Sequence, residues 1–147
     1  MFTRIVVGTD GSDTAAEAVR QALELAKLSG ARLEIVSAYE PVSQRRVEKE
    51  ALDAPTDVQY EIGPREDVNL VLDGAAASAR GEGVEVRTHP VEGEPAEAVL
   101  DVAEKTDADL IVVGNKGMTG ARRFLLGSVP NNVSHHAPCS VLIVRTT

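Results

Sequence analysis

Short, continuous apolar runs alternate along this chain with longer stretches in which apolar residues recur every three to four positions. Arg4–Thr9 centres on Ile5-Val6-Val7, a β-branched run expected of a strand covered on both faces of a parallel sheet. Asp13–Ser29 carries Val19, Leu23 and Ala26 on one helical face, and Gly30 stands where a helix would stop. Thr14 and Glu17 have capping-box spacing, with Ser12 and Asp13 as alternative caps. Leu33–Ala38 predicts a second buried strand.

Residues 40–63 are broken by Pro41, Pro55 and Gly63, although Ser43–Leu52 has the composition of a polar helix. A connection of 24 residues is long for a compact domain, so a mobile lid or a partly disordered loop is expected there. Pro64–Arg80 follows as a helix with Val68, Val71, Leu72, Ala75 and Ala79 on its inner face, ended by Gly81 and Gly83. Val84–Val91 alternates, which suggests a more exposed strand. Glu94–Lys105 predicts a helix with Pro95 in its first turn. Leu110–Val113 is a fourth strand, Ser128–His136 a short helix and Val141–Val144 a fifth strand.

The sum is a βαβαβαβαβ order in one domain, the pattern of a doubly wound α/β fold with a parallel sheet and helices on both faces. In such sheets ligands bind beyond the carboxyl ends of the strands, where strand order reverses. Asp10 follows strand one and Gly114 ends strand four, so neighbouring placement of those strands would bring both to one crevice.

Charge sharpens the picture. The 147 residues carry a net charge of −8, against a surface built to wrap nucleic acid. Yet Leu110–Thr147 contains no Asp or Glu and carries Lys116, Arg122, Arg123 and Arg145, a balance of +4. The rest holds all 23 acids and a balance of −12. Within the basic stretch, Gly114, Gly117, Gly120 and Gly127 punctuate the segment between a buried strand and a helix start at Ser128. Such loops let backbone N–H groups approach a phosphate without obstruction by Cβ atoms. The segment is not a Walker A motif, since Leu126 precedes Gly127-Ser128 where a lysine should stand between glycine and serine, and G-x-G-x-x-G is absent. No apolar run reaches the ~20 residues of a membrane span, no h-region of a signal peptide is apparent at the start, and the lone Cys139 suits a reducing compartment. The expected location is the cytoplasm.

Gly114, Gly117, Gly127 and Ser128 spell G-x2-G-x9-G-S, and Val7-Gly8-Thr9-Asp10-Gly11-Ser12 precedes them near the start of the chain. With the closing stretch Gly127–Val133 and Ala137–Val144, the chain resembles the universal stress proteins, in their ATP-binding subgroup. The resemblance spans essentially the whole chain and is weakest at residues 40–63. It implies a five-stranded sheet in the order 3-2-1-4-5. It implies ATP, or AMP or cyclic AMP (cAMP), as ligand, and a triphosphate would ordinarily bring Mg²⁺. Residue by residue, Asp10 would approach the nucleoside, with a turn or helix-cap role as the alternative, and Ala38 would offer backbone to adenine. Gly114 and Gly117 would pass close to ribose and phosphates, Asn115 and Lys116 would add polar contacts, and Gly127, Ser128 and Val129 would cradle phosphates. Arg122 and Arg123 either screen phosphate charge or are solvated surface residues, and Met118 either packs on adenine or fills a gap.

The resemblance also places Val141–Val144 at a sheet edge, where pairing with a second subunit would cover it as a homodimer. The function expected on these grounds is a regulatory nucleotide-binding module of the stress response, non-catalytic or very slow in turnover. Sequestration of cAMP is a variant of that reading. A second class is an ATP-cleaving or nucleotidyl-transferring enzyme of the adenine nucleotide alpha-hydrolase-like superfamily, whose pyrophosphatase loop Thr9–Asp13 resembles without its double glycine. A third is an interaction protein without nucleotide. His135-His136 lacks a third ligand at a sensible spacing for a metal, and Cys139 reads as an inert small core residue.

Overall fold

The computed structural model describes residues 1–40, 64–115 and 127–146. The expected loop from residue 41 to 63 and the positions Lys116, Gly117, Met118, Gly120, Arg122 and Arg123 lie outside the described residues. Five strands and four helices alternate: β1 Arg4–Gly8, α1 Asp13–Ser29, β2 Arg32–Tyr39, α2 Pro64–Gly81, β3 Val86–Glu92, α3 Pro95–Lys105, β4 Leu110–Gly114, α4 Ser128–His136 and β5 Ser140–Val144. All neighbouring strands pair in parallel, in the order β3-β2-β1-β4-β5. The doubly wound sheet and its order are as expected.

Alternation within each strand divides the core in two. Ile5, Val7, Leu33, Ile35, Leu110 and Val112 face one side and pack with Ala22 and Leu23 of α1 and Leu72 and Ala79 of α2. Val6, Val36, Ile111 and Val113 face the other, against Val99 and Val102 of α3 and Val133 of α4. Both faces of β1 and β4 are therefore buried, which is why these strands read as continuous β-branched runs.

Several local readings are corrected. Ser12, not the Thr14–Glu17 pair, caps α1: its Oγ accepts the Ala15 N–H at 3.2 Å. Glu17 turns outward to Arg20 and Gln21 instead. At the other end Gly30 adopts φ 70° and closes the helix on the Ala26 carbonyl. In α2 the buried positions are Val68, Leu72, Ala76 and Ala79, while Val71 and Ala75 are half-buried. The stripe that meets the sheet is rotated toward Ala76, leaving Val71 at its margin. β3 begins at Val86 rather than Val84, because the Val84 N–H is still bound to the Ala79 carbonyl that ends α2.

β2 holds a group that its apolar character concealed. Glu34 is fully buried. Its carboxylate accepts from Arg32 Nε at 2.9 Å and lies 3.0 Å from His89 Nε2 on β3. A buried carboxylate requires such partners. At the amino ends of β1 and β4, Asp109 accepts the N–H of Thr3 at 2.8 Å and of Arg4 at 3.1 Å, plus the Thr3 hydroxyl at 3.0 Å. Burial pushes the Asp109 carboxyl up, but these donors outweigh it and hold it below the usual aspartate range.

Candidate functional site

β1 and β4 are neighbours, and β2 and β5 flank them, so the chain leaves β1 and β4 toward opposite faces of the sheet. A crevice opens at this switch point, beyond the carboxyl ends of the strands. Its floor is Gly8 at the end of β1 with Thr9 after it, Val36 and Ala38 of β2, and Val113 and Gly114 of β4. Its walls are the first turns of helices: Ser12, Thr14 and Ala15 of α1, Pro95 of α3, and Val129 and Pro130 of α4. Val99, one turn into α3, completes the lining.

Three helix N-termini thus converge on one cavity. Each brings the equivalent of roughly half a positive charge, although Pro95 and Pro130 carry no N–H and that of Ala15 is taken by Ser12 Oγ. The cavity favours an anion although the whole chain is acidic, and its floor of valine, alanine and glycine offers an apolar bed for a flat ring. Gly8 allows a close approach here: a Cβ there would lie 3.0 Å from Val99 Cγ2, so the valine would have to give way slightly. α3 therefore packs directly on the strand end.

Asp10 stands on the rim as part of a polar turn. Its Oδ1 accepts the Ser12 N–H at 2.9 Å and the Ser12 hydroxyl at 2.5 Å, and Ser12 Oγ lies 3.1 Å from Thr14 Oγ1. Its other oxygen has no hydrogen-bond partner among the described residues. Thr9 ties the turn back to the sheet: its N–H donates to the Val36 carbonyl at 2.9 Å, and its hydroxyl accepts from the Gly11 N–H at 3.1 Å. Both the turn role and proximity to a ligand are therefore open to Asp10 at once.

The structure brings Asp10, Ala38, Gly114 and Val129 to the lining of this one cavity. Asn115 follows Gly114 and is held by bonds to the chain on both sides of it. Its N–H donates to the Val144 carbonyl at 2.8 Å, and its own carbonyl accepts the Gly127 N–H at 3.0 Å. Its Oδ1 accepts both the N–H and the hydroxyl of Thr146, at 2.8 and 3.0 Å. Asn115 thus closes the base of the glycine-rich segment and ties it to the end of β5. Gly127 is the N-cap of α4, and Ser128 is its first helical residue. Lys116 and Gly117 lie outside the described residues.

The first-turn residues Thr14, Ala15, Pro95 and Pro130, with Val36, Val99 and Val113, line the cavity without having been singled out from sequence. One signal was available: each of these helices follows a strand in a doubly wound fold, so its first turn opens toward the same end of the sheet. Elsewhere, His136 Nδ1 lies 3.0 Å from the Asn132 carbonyl at the end of α4, and no three His, Cys, Asp or Glu side chains cluster as metal ligands among the described residues. Cys139 is half-buried, and burial, with the nearby Asp109 charge, pushes its thiol up. That suits an unreactive thiol. Among the described residues no helix is long and apolar enough to cross a membrane.

Known proteins share this architecture. The model of the universal stress protein family matches residues 1–145. The chain belongs to that family. A universal stress protein of Mycobacterium tuberculosis strain H37Rv is 39% identical over 147 residues, covering 99% of this chain and 98% of its own length. A universal stress protein solved in complex with cAMP superposes with a TM-score of 0.74 at 37% identity, covering 99% of both chains. One from Archaeoglobus fulgidus, solved in complex with dAMP, gives a TM-score of 0.68 at 26% identity, covering 97% of this chain and 98% of that one.

Proposed function

We propose that this universal stress protein binds an adenine nucleotide, ATP in the first place, in the crevice between the ends of β1 and β4. The observation that carries the reading is the convergence of three helix N-termini over an apolar strand-end floor. Adenine lies toward Ala38, the ribose toward Asp10 and Gly114, and the phosphates toward Gly117, Gly127, Ser128 and Val129. Asn115 and Lys116 add polar contacts, and Mg²⁺ accompanies a triphosphate. The module is regulatory and cytoplasmic, and turnover of ATP is absent or slow. Bound nucleotide favours one arrangement of the protein and so alters its contacts in the stress response.

A homodimer through residues 141–144 completes the proposal. β5 is an edge strand, and Leu142 and Ile143 are 37% and 36% exposed there. An uncovered apolar edge invites pairing with a second copy. A cAMP-binding role is the second reading, favoured by the 37%-identical relative solved with that ligand.

A thermal-shift panel with Mg·ATP, ADP, AMP and cAMP tests the proposal. A ligand at 100 times its Kd adds about 2.7 kcal/mol to the stability of its binding state, roughly a 5–10 °C rise for a chain of this size. The largest shift is expected with Mg·ATP, and a larger one with cAMP selects the second reading. No shift with any of them, in nucleotide-free protein, overturns the adenine-nucleotide proposal.

A further inference from the structure

The turn that carries Asp10 and Ser12 into the crevice rests on a residue that is not in the crevice. Gly11 lies between them with φ 82°, a backbone region that favours glycine. Its far side abuts α2: a Cβ on Gly11 would lie 2.8 Å from Val71 Cγ2 and 3.4 Å from Val71 Cγ1. Thr9, Gly11 and Ser12 together form the end of a cleft between α1 and α2, with Val71, Leu70 and Gly74 along its α2 side. Thr9 and Ser12 therefore wall the crevice on one side of the turn and this cleft on the other.

Val71 is half-buried, set off from the Leu72 and Val68 positions that pack on the sheet. It contributes little that the core requires, yet its methyls meet the backbone of the turn where only glycine fits. A β-branched side chain is stiff at χ1, so those methyls form a fixed stop rather than an adaptable one. We propose that Val71 is a positioning residue for the nucleotide pocket: through Gly11 it sets the Asp10–Ser12 turn, and with it the first turn of α1. The proposal rests on the nucleotide reading for its consequence and on the Gly11–Val71 contact for its geometry.

Five variants test it, with Mg·ATP titrated by calorimetry and the Gly11 and Ser12 amide resonances recorded without ligand. Val71→Ala is expected to weaken Mg·ATP binding on the order of tenfold, the usual size of coupling between touching residues, and to move both amide resonances. Leu70→Ala, exposed on the same helix and lining the same cleft, is expected to change neither. Gly11→Ala is expected to lose binding, and the double variant Gly11→Ala/Val71→Ala to bind more tightly than Gly11→Ala alone, because the added methyl enters the space the valine leaves. Val71→Ile, which keeps both γ carbons, is expected to bind as the parent does.

Parent-like affinity and resonances in Val71→Ala overturn the proposal, and so does a double variant no tighter than Gly11→Ala. If the parent chain binds neither Mg·ATP nor cAMP, the nucleotide reading fails. The ligand-free resonances then decide the positioning role by themselves, moved in support and unmoved against.

Discussion

The two ends of the β1–β4 pair are built from the same strands and treat their backbone groups in opposite ways. At the amino ends, one carboxylate, Asp109, takes up the N–H groups of Thr3 and Arg4, and the Arg4 guanidinium donates to the Thr106 carbonyl at 2.6 Å. At the carboxyl ends, Gly8 and Gly114 bring bare backbone to a cavity lined by the first turns of three helices. Hydrogen bonds within the chain close the first end, whereas the second, though its turns are also hydrogen-bonded, opens as a crevice. The difference teaches where stability and binding should separate under mutation.

Gly8→Leu is expected to show the largest effect. The added side chain meets Val99 and fills the crevice, so nucleotide binding is lost while overpacking costs about 1–3 kcal/mol of stability. Calorimetry on the folded variant checks this, and retained affinity would move the site elsewhere. Asp109→Ala is expected to act at the other end alone. Losing the acceptor of the Thr3 and Arg4 donors, which lie near the surface, costs about 0.5–1.5 kcal/mol in chemical denaturation, with nucleotide affinity unchanged. Coupled losses of stability and affinity in this variant would break the separation.

Ser12→Ala is expected to fall between the ends in kind and to be no larger in size. Loss of the α1 cap costs about 1 kcal/mol, and loss of the Asp10–Ser12 contact weakens binding as well. The smallest effect is a pH dependence. The folded Asp109 carboxyl lies below its ordinary value of about 3.9, so its stabilisation is fully present above that pH and fades as pH falls below it. Denaturation curves at successive pH values should therefore converge for parent and Asp109→Asn in acid, and curves that stay parallel down to the acid limit would exclude the effect.

These ends were not equally legible in the sequence. The elements at both were, because buried parallel strands and amphipathic helices carry distinct periods, and α1 and α4 fall on their predicted bounds. Strand order came from the family resemblance, since periodicity carries no information about which strands are neighbours. Gly114 and Asp10 pointed to the crevice because each follows a strand. Thr14, Pro95 and Pro130 did not, because a first-turn residue looks the same in sequence whether it faces a ligand or solvent. The bonds that hold Asn115 are illegible for a related reason: its partner Thr146 is 31 residues away and sits beside it only through the β4–β5 pairing. The same distance problem hid Glu34, whose partner His89 lies 55 residues on.

The central claim is that ligand enters at the carboxyl ends and leaves the amino ends alone. The most direct measurement is a backbone amide shift map of isotope-labelled protein titrated with Mg·ATP. Saturable shifts are expected at Gly8–Ala15, Ala38, Gly114 and Gly127–Val129, with Thr3, Arg4 and Asp109 unmoved. Shifts centred on the amino ends, or none at saturating nucleotide, would contradict it.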